Sequence, residues 1–107
     1  MIVVSKYLVP KGFVGLTLYP FILLKTKAMK QNIIVINHEK IHLRQQIELL
    51  IVFFYIIYIS EWIFKWIKYK DRKLAYHNIS FEREAYYHEK NMNYVKEKNI
   101  WSFWKYI

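Results

Sequence analysis

Residues 49 to 67 constrain this chain more than any other stretch. From Leu49 to Ile59 every side chain is apolar or aromatic; Ser60 and Glu61 interrupt, and Trp62 to Ile67 resumes with Lys65 inside it. At ~1.5 Å per residue such a run, as one helix, is long enough to cross a ~30 Å hydrocarbon layer. Glu61 and Lys65 oppose a crossing, each costing about 2.5–3.5 kcal/mol near mid-bilayer. The alternative is a run that doubles back. The chemistry on either side of it decides between the two.

Ahead of the run stands His38-Glu39-Lys40-Ile41-His42, an HExxH pattern. On a helix, residues four apart share a face, so both imidazoles can aim at one point, as two ligands of a zinc ion do. Glu39 stands beside them, placed to activate a water. With no cysteine in the chain, any metal site must be built from His and carboxylate. Two imidazoles are too few, because a catalytic zinc site takes three protein ligands. The candidates for the third are His77, His88, Glu82, Glu84 and Glu89, all beyond the apolar run. As ordinary residues, His38 and His42 would be polar groups on an amphipathic helix. Glu82 or Glu84 would be a carboxylate favoured by a helix N-terminus.

HExxH followed by Glu82-Arg83-Glu84-Ala85, the Glu standing forty residues after His42, resembles the gluzincin zinc peptidases, including their small minigluzincin members. Val35 fits that family's β-branched residue three before the first His. Lys40 and Arg44 replace residues usually uncharged and apolar, and Tyr86 replaces the Asp that usually orients a ligand histidine. Asn37 or a backbone carbonyl is then needed for that task. The resemblance, over residues 35 to 86, implies Zn²⁺ held by His38, His42 and Glu82, with Glu82 preferred over Glu84. It also implies Glu39 as general base and Ala85 as a small residue that lets two helices approach. The implied activity is hydrolysis of peptide bonds by a metal-activated water. Phe21 to Leu24 would line the cleft and pair with an extended peptide, and Tyr76, His77 and Tyr87 are candidates to stabilise an oxyanion. His77 and His88 otherwise read as ordinary histidines.

A single crossing would leave His42 and Glu82 on opposite sides of the bilayer, unable to share a metal ion. The metal reading therefore requires a hairpin. The helix from Asn37 (N-cap, with Ile36 packed on Ile41) ends near Ser60, and a second arm returns from Glu61 towards Tyr69. Ser80 reads as the N-cap of a last long helix running to about Lys96, and Trp101 to Trp104 as an aromatic tail packed back on the body. Before the HExxH helix, Ile2 to Val4, Phe13 to Tyr19 and Phe21 to Leu24 read as extended, punctuated by Pro10, Gly12 and Pro20. Asn32 to Ile36 is either a further strand or the first turn of the helix. The expected fold is a mostly helical α+β domain over 1–107: two or three short strands, the HExxH helix continuing into an apolar hairpin, then a Glu-bearing helix.

A net charge of +9 points to an anionic partner. The basic residues are spread along the chain and match no nucleic-acid motif, which argues against DNA or RNA. The hairpin carries Trp62, Trp66, Tyr55 and Tyr58 beside Lys65, Lys68, Lys70, Arg72 and Lys73, a composition suited to monotopic attachment to an anionic membrane surface. Otherwise it is core, completed by a homodimer partner. Met1 to Tyr7 has no signal-peptide pattern, so the expected location is cytoplasmic or peripheral to a membrane. The rival to a peptidase is a non-enzymatic, basic, membrane-associated protein whose HExxH is incidental.

Overall fold

The computed structural model describes residues 1–107. Its N-terminal third is a three-stranded sheet of β1 (Ile2–Val4), β2 (Gly15–Leu18) and β3 (Phe21–Leu24), in the order β1-β3-β2. β1 runs parallel to β3, and β2 antiparallel to it with Gly15 opposite Leu24 and Leu18 opposite Phe21. Alternation puts Ile22 and Leu24 of β3 on the buried face, as a half-covered strand requires. β3 is thus paired on both edges. The two outer edges belong to β1 and β2.

Helix α1 (Ile33–Glu48) starts earlier than Asn37. Asn32 is the N-cap, its side-chain oxygen accepting from the amides of Ile34 and Val35 at 3.1 and 3.2 Å. Asn32 to Ile36 therefore opens the helix rather than forming a strand. Asn37 lies inside α1, buried, and its amide donates to the carbonyls of Glu89 and Asn91.

The chain does double back, but at Leu49 to Ile51, not at Ser60. Leu50 takes a left-handed φ of 51°, and α2 (Val52–Tyr69) leaves at 114° to α1. Tertiary contacts hold this corner: the Glu48 carboxylate accepts two 2.7 Å bonds from Lys98, and its carbonyl accepts from the Trp101 indole. α2 then runs unbroken past Ser60 and Glu61, because Glu61 is turned inward, where its carboxylate accepts from the Ser80 amide and pairs with Lys65. No single helix is long and apolar enough to cross a membrane.

After a left-handed Lys70, Asp71 caps the short α3 (Arg72–His77), which the basic composition of that segment had hidden. α4 spans Ser80–His88, with Ile79 rather than Ser80 at the N-cap; the Ser80 hydroxyl donates to Glu61 instead. α4 also stops short of Lys96. Asn37 takes the carbonyls of Glu89 and Asn91 just past its end, and the short α5 (Tyr94–Glu97) and a 3-10 turn over Ser102–Tyr106 follow.

The core is aromatic: Phe54, Ile79, Phe81 and Phe103 pack together, with Phe81 4.5 Å from both Phe54 and Phe103 between ring centres. The tail is therefore anchored by Phe103, while Trp101 and Trp104 stay exposed. A second cluster joins Ile41 of α1 to Ala85 of α4 and to Tyr94.

Lys98 is wholly buried between Glu48 and Glu84. Removing it leaves the fully buried Glu84 without a cation and Glu48 with only the part-exposed Arg44, so Lys98→Met is expected to lower unfolding stability by about 3–5 kcal/mol in a urea titration. Lys96→Met, at an exposed position, should change it by less than about 0.5 kcal/mol.

Candidate metal centre

α1 places His38 and His42 one turn apart on its inner face, their rings edge to face at 4.8 Å. α4, held against α1 through Ala85 and Ile41, brings Glu82 to the same point. His38 Nε2, His42 Nε2 and Glu82 Oε1 form a nearly equilateral triangle: 3.2 Å between the nitrogens, 3.2 and 3.1 Å from each to the oxygen. Three ligands ~2.0–2.1 Å from a tetrahedral cation stand about 3.3–3.4 Å apart. The triangle already has that size to within a few tenths of an ångström. All three residues are buried, so this group can hold a metal ion.

The outer atoms of each side chain show what faces inward. His38 Nδ1 lies 2.9 Å from Glu89 Oε2, and His42 Nδ1 lies 2.8 Å from Gln45 Oε1. Both partners accept, so both Nδ1 atoms carry the proton and both Nε2 atoms present lone pairs. Gln45 cannot be flipped, because its NH₂ group donates to two pure acceptors, the Phe81 carbonyl and Glu84 Oε1, at 3.1 and 2.8 Å. Glu82 Oε2 accepts from the Tyr58 hydroxyl at 2.7 Å, leaving Oε1 for the centre. Three lone pairs thus converge where no protein hydrogen is available, and the cage calls for a proton or a cation. Burial opposes charge on His42, but the Glu82 carboxylate outweighs it and pushes the pKa up to about 9. Burial likewise raises Glu82, but the charge of a protonated His42 and the close approach of both rings bring it well below the usual carboxylate range.

Glu39 is buried beside this triangle, its Oε1 accepting from the Thr17 hydroxyl at 2.7 Å. Oε2 is left at Gly15, where an added Cβ would come within 3.4 Å of it. Two lobes of a cleft meet at Glu39. One, about 290 Å³, is lined by His42, Glu82, Phe54, Tyr55 and Tyr58. The other, about 680 Å³, is lined by His38, Arg72, Lys73, His77 and Tyr86. Gly15, Trp62 and Tyr76 border both.

The other expected residues fall elsewhere. Glu84 is fully buried away from the imidazoles, accepting from Gln45, Tyr94 and Ser102 and facing Lys98. His88 stacks on Tyr94 and bonds the Tyr106 hydroxyl, so it takes no part. His77 borders the larger lobe without joining the triangle. Tyr87 is exposed against His88 and Tyr106, away from the cleft, which removes it as an oxyanion donor. Tyr76 lies on the cleft, and burial, reinforced by Glu82, raises its pKa so that the phenol stays a donor. Glu89 and Gln45 orient the two histidines; neither Asn37 nor a backbone carbonyl touches either ring, although Asn37 holds the Glu89 carbonyl. Lys40 is exposed and Arg44 pairs with Glu48, so neither charge meets the site. Gln45, three residues after His42, carried a helical signal that could have found it. Tyr58 and Thr17 had none, because only tertiary folding brings them in.

Comparison of the chain with protein-family models, curated proteins and solved structures gives no match.

Because metal uptake must expel the His42 proton, apparent metal affinity should rise about tenfold per pH unit from pH 6.5 and level off near 9. Chelator-competition titrations across that range check this.

Proposed function

We propose that this protein is a zinc-dependent peptidase of gluzincin type. The observation that carries the reading is a buried carboxylate, Glu39, standing at a His₂Glu lone-pair cage and beside an open strand edge. Two imidazoles and one carboxylate with a position left free is the donor set of catalytic zinc sites. When bound, zinc supplies a Lewis acid for a carbonyl and for a water.

The chain's own residues supply the rest. Thr17 immobilises Oε1 of Glu39, so Oε2 is the atom that takes the proton of the attacking water and returns it to the leaving amine. Tyr76 is the donor best placed for the developing oxyanion. The substrate edge is β2 rather than the central strand β3. Val14 O accepts from Lys25 N, and alternation turns the backbone groups of Gly15 and Thr17 away from β3. Gln46 and Tyr55 take the Thr17 carbonyl, which leaves the Gly15 N–H and C=O and the Thr17 N–H for an extended peptide. A peptide on this edge passes Glu39 and offers an apolar side chain to the aromatic lobe of Phe54, Tyr55 and Tyr58. A Cβ at Gly15 would stand 3.4 Å from the Glu39 carboxylate, in contact with it.

The zinc-loaded protein is expected to cleave quenched fluorescent peptides carrying a large apolar residue. Glu39→Gln should retain one equivalent of metal and lose about 10²–10⁴ in turnover, whereas His42→Ala should lose the metal itself. Equal, background cleavage by wild type and Glu39→Gln, with zinc bound to both, would leave the non-enzymatic reading in its place.

A further inference from the structure

Helix α2 is built inside out. Its two charged residues before the last turn, Glu61 and Lys65, are turned into the protein, where they pair with each other and bond Ser80 and Asn78. Its outward face carries Val52, Ile56, Ile59, Ile63 and Ile67, spaced by three and four residues and flanked by Phe53 and Phe64, each about half exposed or more, with Ile67 at 73%. Ser60 is the one polar residue within that stripe. A surface helix of a water-soluble domain has the opposite arrangement, and an apolar strip this continuous marks a contact surface.

The charge around it identifies the occupant. Of eight acidic residues only Asp71 and Glu97 are exposed; the others are turned inside or engaged there. The surface is therefore almost purely basic, and Lys68, Lys70, Arg72 and Lys73 cluster where the stripe ends, beside Trp66. A second copy of the chain would bring like charge against like, with only Asp71 and Glu97 exposed to meet these cations. An anionic lipid surface satisfies both halves of the pattern.

We propose that the outward face of α2 lies in the headgroup–acyl boundary of an anionic bilayer, with the basic cluster on lipid phosphates. The helix lies along the surface over about 27 Å, while its opposite face, through Phe54, Tyr55, Tyr58 and Trp62, walls the metal cleft. This inference does not depend on the peptidase reading.

Flotation with vesicles of equimolar phosphatidylcholine and phosphatidylglycerol tests it, against pure phosphatidylcholine. Wild type should float with the anionic vesicles and be released by salt. Ile56→Ser/Ile63→Ser/Ile67→Ser, which leaves the core untouched, should weaken partition at least about tenfold, and Lys68→Gln or Lys73→Gln about fivefold each. Unchanged helical circular dichroism and metal affinity in the triple variant establish that it folds. Equal flotation of triple variant and wild type, or equal binding to both vesicle types, would overturn the proposal. So would a lipid-free dimer that the triple variant converts to monomer, since a second copy would then own this face.

Discussion

One carboxylate oxygen held between two imidazole nitrogens, out of water, is the contact on which the rest of the molecule depends. Burying such a group without compensation costs several kcal/mol, and three lone pairs 3.1–3.2 Å apart repel unless a positive charge sits among them. The surrounding structure limits that cost. Ala85 lets α4 approach α1, Tyr58 binds the far oxygen of Glu82, and Glu89 and Gln45 fix both rings. The corner at Leu50 exists so that α2 can return over the same point and deliver Tyr58. Without that corner the nineteen-residue apolar run would carry Glu82 away from the histidines.

Much of this is legible in the sequence. The spacing of His38 and His42, the absence of cysteine and the need for a third ligand together demanded a chain that reverses between residue 42 and residue 82. Three strands and a mostly helical remainder follow the sequence patterns. Where local reading went astray, tertiary contacts had overridden it. Asn37 has the chemistry of a cap, but Asn32 has the same chemistry and is free to use it, while Asn37 is taken by the chain beyond α4. Ser60-Glu61 reads as a break in an apolar run, yet Glu61 is polar because it must meet Ser80 inside the fold. The true corner has no Gly or Pro to mark it, only a leucine in a left-handed conformation two residues after Glu48, which Lys98 and Trp101 bind. Glu89 could be seen as a candidate ligand but not as the partner of His38, because that pairing spans fifty-one residues.

The distribution of acidic groups unites fold and surface. Six of the eight carboxylates are turned inward or engaged there: Glu39 on Thr17, Glu48 and Glu84 around Lys98, Glu61 on Ser80, Glu82 and Glu89 on the histidines. Each is there because a buried donor or cation requires an acceptor. The consequence is that nearly all the unbalanced positive charge lies outside.

The make-up of the lone-pair cage also bears on how such a centre is filled in a living cell. Imidazole and carboxylate are donors of intermediate hardness, and without thiolate or thioether nothing in the triangle favours soft ions such as copper(I). Cobalt(II), nickel(II) and zinc(II) all accept this donor set, and their affinities follow the general divalent series rather than any refinement of shape. Which of them such a group would take up would then be decided by supply: by the free concentration of each ion in the compartment where the chain folds.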